Sequence, residues 1–300
     1  MGRKGITAHI VLFFLIFLLT PLQVCAEKIF TVYTVNYPLT YFAERIGGTH
    51  IDVVFPAPAG VDPAFWNPDT ETVRKYQQAD LILLNGAGYE KWIKKVSLPL
   101  LRSVDTSRVF RDDFLQVAST VTHSHGPNGD HSHGGTAFTT WLDFSQAALQ
   151  AEAIYKALSR RIPERESEFA SNLESLQQDL LGLDEQMTTL SARKPGVALI
   201  ASHPIYQYLA RRYKLNLEMV IWEPGEDPGT KEWNNLQNLL KGHPVKWMIW
   251  EGEPLPESIQ RLKGMGIQGQ VFSPCFAVPE QGDFLSVMQQ NVHNMGLIFK

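Results

Sequence analysis

Between residues 30 and 84 the apolar positions switch repeatedly between a period of two and a period near 3.6. Phe30-Thr31-Val32-Tyr33-Thr34-Val35 mixes β-branched and aromatic residues in alternation and predicts a strand. Tyr41 to Ile46 predicts a short helix ended by Gly47-Gly48, and Ile51 to Phe55 a second strand broken by Pro56, Pro58 and Gly60. Asp69 is placed to cap a helix running to Gln78, with Glu71 in the first turn, where negative charge suits the dipole. Leu81-Ile82-Leu83-Leu84 is wholly apolar, as a strand covered on both faces should be. Strands separated by helices predict a parallel sheet in an α/β layer.

A helical texture follows. Phe144, Ala147, Ala151, Ile154, Tyr155 and Leu158 recur at helical spacing between Asp143 and Ser159. From Pro163 to about Ser191, Phe169, Leu173, Leu176, Leu180, Leu183 and Met187 recur every three or four residues. That helix would be about 40 Å long, more than one lobe needs, and predicts a strut between two lobes. Beyond Pro195-Gly196 the alternation resumes. Strands are expected at Val197–Ile200, Leu217–Trp222, Trp247–Trp250 and Val271–Phe272, and helices at Tyr206–Tyr213, Trp233–Leu240, Ile259–Lys263 and Phe284–Met295. The predicted fold is therefore α/β: two lobes with mostly parallel sheets bridged by one long helix. The expected division is 1–26 leader, 27–121 first lobe, 122–138 polar loop, 139–193 helical segment and 194–300 second lobe. A ligand is expected between the lobes, at the carboxyl ends of strands.

The leader follows from Arg3 and Lys4 ahead of the apolar run Ile10–Leu19 and the small residue Ala26. That run is half the ~20 residues a membrane span needs, so it predicts a secretory signal cleaved after Ala26 and a protein exported to the periplasm or its equivalent. Lipid attachment at Cys25 is the alternative, weakened by Val24 in place of a small residue. The chain carries 31 acidic residues against 27 basic ones, two of which leave with the leader, and it has no basic block. Nucleic acid is therefore not an expected partner. Only Cys275 would remain after cleavage, which precludes an internal disulfide and predicts a buried apolar thiol. No nucleophile elbow, phosphate loop, His-Glu-x-x-His or dinucleotide fingerprint is present, so a binding protein, not an enzyme, is expected, as a monomer.

The chemistry-bearing stretch is Thr122-His-Ser-His-Gly-Pro-Asn-Gly-Asp-His-Ser-His-Gly-Gly135. It holds His123, His125, His131 and His133, four of the chain's nine histidines, with Asp130 among them. Neutral imidazoles ligate divalent ions, but glycines make folding around one costly in entropy, so modest, pH-sensitive affinity is expected. The other reading is a solvated polar loop. His203 follows a strand end and faces the predicted cleft, as a ligand or as a structural histidine. Trp66, Trp141, Trp222, Trp250 and Tyr206 suit core packing or an aromatic cleft wall. Glu223, Glu226, Asp227, Glu251 and Glu253 are expected as solvated loop charges, with Glu251 also a possible donor.

The order of several motifs resembles the periplasmic metal-binding receptors of zinc and manganese ABC importers. These are Asn36-Tyr37-Pro38-Leu39, Asp62-Pro63-Ala64-Phe65-Trp66, Ala79-Asp80-Leu81-Ile82 through Glu90-Lys91-Trp92, Trp141-Leu142-Asp143 and Ser202-His203-Pro204. The resemblance implies an interlobe site for zinc or another divalent metal, and an ABC permease as partner. It also implies four ligand positions, which fall here at Ala64, Thr139, His203 and Ser273. Three of the four are substituted, and zinc wants about four N, O or S donors. The donor count makes the histidine loop the main metal candidate, with His203 its partner and Asp62, Asp130 or Glu251 as additional ligands. The alternative is a degenerate member of the family that binds a non-metal ligand, or an accessory protein that buffers zinc or contacts a partner.

Overall fold

The computed structural model describes Gly2 and residues 29–117, 122–124, 130–132 and 135–300. In the first lobe, β1 (Phe30–Thr34), α1 (Tyr37–Gly47), β2 (Ile51–Val54), α2 (Thr70–Gln78), β3 (Leu81–Leu84) and β4 (Ser103–Asp105) make a parallel sheet in the order β2-β1-β3-β4. Asn36 caps α1 by accepting from the Leu39 amide, and Pro38 occupies its first turn. This starts α1 earlier than its apolar periodicity suggests. Asp69 caps α2 as expected, accepting from the Thr72 amide at 2.7 Å. β4 was not foreseen, being only three residues long.

Two short antiparallel pairs follow. β5 (Gln116–Val117) pairs with β8 (Gly135–Thr136), and β6 (Thr122–Ser124) with β7 (Asp130–Ser132). The helical segment comprises α3 (Phe144–Ser159), a single turn at Pro163–Arg165 and the long α4 (Glu166–Ser191). The foreseen stripe on α4 is the buried one: Phe169, Leu173, Leu176, Leu180, Leu183 and Met187. Polar bonds tie α4 to both lobes. Arg45 of α1 meets Asp179 at 2.8 Å, and Asp184 receives Arg212 Nε at 2.9 Å and the Tyr213 hydroxyl at 3.0 Å.

The second lobe runs β9 (Ala198–Ala201), α5 (Gln207–Tyr213), β10 (Asn216–Met219), α6 (Thr230–Gly242), β11 (Trp247–Trp250), α7 (Pro256–Gly264), β12 (Gln268–Val271) and α8 (Phe284–Ile298). Its sheet is parallel in the order β10-β9-β11-β12. The largest core is continuous from Val32 and Phe42 through α4 to Met288 and Met295. A second core packs Trp222, Trp233 and Trp250 beneath the outer face of the second sheet, with Trp222 and Trp233 ring centroids 4.6 Å apart. Across the lobes, Trp141 Nε1 donates to the Pro274 carbonyl at 2.7 Å.

Candidate metal centre

The carboxyl ends of β9, β11 and β10 are neighbours in the second sheet, and each is followed within a few residues by a side chain that can ligate metal. His203 lies two residues beyond β9, Glu251 directly beyond β11 and Glu223 four residues beyond β10. Backbone bonds carry the sheet past its formal ends: the Ser202 amide donates to the Ile249 carbonyl at 2.8 Å, and the Trp222 amide to the Ser202 carbonyl at 2.7 Å. The buried rings of Trp222 and Trp250 hold the residues immediately before each glutamate. The three side chains therefore sit on a rigid platform. His203 Nδ1 is 3.1 Å from Glu223 Oε1 and 3.8 Å from Glu251 Oε1. One ligand atom from each lies within 4.8 Å of the others, a spacing that suits one shared cation.

His203 is 3 % exposed, and burial alone would suppress its charge. The hydrogen bond with Glu223 and the fields of Glu251, Glu223 and Asp62 outweigh burial and raise its pKa above the ordinary value. A proton held between two carboxylates is the electrostatic counterpart of a cation held by the same three groups. With the imidazole neutral, the trio carries two negative charges and offers one nitrogen and up to four oxygens.

Glu223 is a correction to the sequence expectation, which counted it among solvated loop charges. That expectation holds for Glu226, Asp227 and Glu253, which are exposed. Glu251, foreseen as an additional donor, is in the trio. Asp62 is close enough to act on His203 by its charge, but its Oδ1 accepts the Ala64 amide at 2.8 Å and it is not one of the three converging groups.

The substituted positions are committed to packing and backbone. Ala64 is fully buried. Thr139 donates its hydroxyl to the Ile205 carbonyl. Ser273 is clamped by Asn291, whose Oδ1 accepts the Ser273 amide and whose Nδ2 donates to its carbonyl, while the Ser273 hydroxyl accepts the Cys275 amide. Of the histidine stretch, the register places His123 opposite His131 and Ser124 opposite Asp130. His125 and His133 lie outside the described residues, as does the segment 1–26 apart from Gly2. Cys275 is buried and free, and burial, reinforced by Asp283, pushes its thiol up to about 12. Trp141, Trp222, Trp250 and Tyr206 are packing residues; the Tyr206 hydroxyl donates to the Phe272 carbonyl at 2.7 Å.

The chain matches a family model described as zinc-uptake complex component A, periplasmic, over residues 32–296. It is 26 % identical over 296 residues to the zinc-binding protein AdcA of Streptococcus pyogenes serotype M3, covering 92 % of this chain and 57 % of that one. The chain thus spans little more than half the length of that relative. It is also 26 % identical over 223 residues to the metal ABC transporter substrate-binding lipoprotein SloC of Streptococcus mutans serotype c, covering 72 % of this chain and 70 % of that one. Among solved structures, the metal-dependent lipoprotein YcdH from Bacillus subtilis superposes with a TM-score of 0.76 at 20 % identity, over 89 % of this chain and 98 % of that one. That likeness is one of fold.

Proposed function

This chain belongs to the family of periplasmic zinc-uptake component A proteins, and from that premise we propose that it is an extracytoplasmic receptor, not an enzyme, that binds a divalent metal ion and presents it to an ABC permease. Zinc is the foremost candidate, and other divalent ions suit the same donors. The observation that carries the proposal is the convergence of His203, Glu223 and Glu251 at three adjacent strand ends. Where the family's four positions retain one donor, this lobe supplies two carboxylates of its own, and a water would complete a four-coordinate shell.

His123, His125, His131 and His133, with Asp130, serve on this reading as weaker capture donors that raise the local ion concentration, and Asp62 as an outer carboxylate. The leader 1–26 is removed on export, and the two lobes at 27–121 and 194–300 flank the loop 122–138 and the helical segment 139–193. The receptor works as a monomer.

Elemental analysis of untagged protein, followed by calorimetry, tests the assignment. The chain should carry one equivalent of metal, and His203→Ala should abolish it. Deleting 122–134 should leave that equivalent in place. Metal that survives His203→Ala and disappears with the deletion would move the site to the loop. No metal after incubation with zinc, manganese or nickel would favour a receptor for another ligand.

A further inference from the structure

The open edge of the second sheet carries hydrogen-bonding groups that neither the metal centre nor the core uses. β12 is the last strand in the order β10-β9-β11-β12, so one side of its backbone has no strand beside it. The Gln268 amide donates to the Lys246 carbonyl at 2.9 Å and the Phe272 amide to the Trp250 carbonyl at 2.7 Å, which turns the even-numbered residues toward β11. Strand alternation then turns the N–H and C=O of Gly269 and Val271 outward. Carboxamides of α8 stand in for a neighbouring strand along part of this edge. Asn294 Nδ2 donates to the Val271 carbonyl at 2.8 Å, and Asn291 bonds both the amide and the carbonyl of Ser273. The substitution stops there. Among the described residues, the Gly269 amide and carbonyl and the Val271 amide have no such partner.

These groups border a cavity of about 480 Å³ whose walls include Trp250, Ile259, Val287 and Gln290. Trp250 is fully buried, and its Nε1–H donor has no acceptor among the described residues. Trp250 pairs in register with Val271, so Gly269, two residues earlier on β12, faces the same side of the sheet as the indole. A Cβ at Gly269 would stand 3.3 Å from Nε1, so a side chain there would close over the donor. Glycine leaves it open to the cavity. Gln290 spends its Nε2 on Asn294 Oδ1 at 2.8 Å and keeps its Oε1 as an acceptor. Among the described residues that line the cavity there is no Lys, Arg or His, and Glu253 is the one charged side chain. An anionic ligand thus finds no counter-charge here, and the unmet groups are neutral donors and acceptors.

Outward N–H and C=O groups on a strand edge, beside an edge already bonded to carboxamides, match one chemistry best: an extended polypeptide backbone. We propose that β12 takes a short uncharged segment of a partner protein as a fifth strand, with Ser, Thr or Asn opposite Gly269. The segment's backbone meets the outward groups of Gly269 and Val271. Its small polar side chain, on the face where Gly269 has none, reaches across to accept from Trp250 Nε1. Directly opposed Cβ positions in neighbouring strands lie only about 5 Å apart, within reach of such a side chain. Asn294 and Asn291 end the contact beyond Val271, so it is a few residues long and weak. It uses none of the three metal-binding side chains.

Titration of the isotope-labelled full-length chain with the blocked peptide acetyl-Val-Thr-Val-amide, followed by nuclear magnetic resonance, tests it; the β-branched residues favour an extended strand. The Gly269 and Val271 amide signals and the Trp250 indole N–H signal, the last assigned with Trp250→Phe, should move together and saturate. Acetyl-Val-Ala-Val-amide should move the two amide signals and leave the indole in place. Gly269→Val should weaken the threonine peptide by at least about tenfold, with Gly269→Ala in its place should the larger side chain unfold the edge. Amide signals of Gly269 and Val271 that stay fixed at millimolar peptide would overturn the proposal. An indole response equal for both peptides, or binding unchanged in the glycine variants, would do the same. So would matching movements produced by glucose, which would make the cavity a polyol site.

Discussion

At the scale of single residues, three glutamates of two opposite designs decide the behaviour of the molecule. Glu223 and Glu251 are carboxylates brought to a histidine. Replacing either by glutamine keeps size and removes charge, so each variant should lose divalent-metal affinity by on the order of 10- to 100-fold in a calorimetric titration. A loss confined to His203→Ala would show that the carboxylates are not ligands. Glu90 instead lies in the first lobe, 2 % exposed, and burial raises its pKa to about 7 from the usual 4.5. Its Oε1 accepts the amides of Asn85 and Gly86, which holds the turn after β3. A carboxyl whose folded pKa is raised contributes stability that is full below about 4.5 and is lost as the pH rises through about 7. The size of that loss is about 3 kcal/mol. Glu90→Gln, whose amide oxygen can still accept both bonds, should therefore be nearly neutral at pH 4.5 and stabilising by about 1–3 kcal/mol at pH 8, read from urea midpoints. Equal midpoint shifts at both values would contradict the buried titration.

At the scale of elements, α4 works as a strut because its apolar stripe and its polar edge serve different neighbours. The stripe packs on α3, α1 and α8, while Asp179 and Asp184 bond one lobe each. Asp184→Asn would keep the shape, leaving Arg212 with a neutral partner and the Tyr213 hydroxyl with an acceptor. Because the Arg212 side chain is 38 % exposed, water screens the pair, and the expected cost is about 1–2 kcal/mol. Leu180→Ala, at a fully buried position on the same helix, should cost about 2–5 kcal/mol. Chemical denaturation ranks the two, and the reverse order would make the polar edge the stronger element of the strut.

At the scale of the whole molecule, one core runs through both lobes and the bridging helix. Lobes that share a core should unfold together, so far-ultraviolet dichroism and tryptophan fluorescence should report a single coincident transition in denaturant. Two resolved transitions would mean that the second tryptophan-rich core folds independently. Among the described residues no helix is long and apolar enough to cross a membrane.

The element pattern was legible in the sequence because burial imposes a period. The strands at Phe30, Ile51, Leu81, Val197 and Trp247 and the α4 stripe follow directly from where apolar residues fall. Element ends were less legible: α1 begins at Tyr37 because a cap at Asn36 sets it, and β4 is too short to show a period. The site was half legible. His203 was visible by its place after a strand, and the substitutions at Ala64, Thr139 and Ser273 only through the resemblance to the metal-receptor family. What replaces them carried a signal in the repeated Ile-Trp-Glu at 221–223 and 249–251, the first shortly beyond β10 and the second closing β11. Yet an acidic residue in a loop looks the same whether it faces water or a histidine. Periodicity records which face of an element is buried. Which loop ends meet depends on strand order, and β10 and β11 flank β9 only once the sheet has formed. That order, fixed by packing between residues far apart in the chain, brings Glu223 and Glu251 to His203.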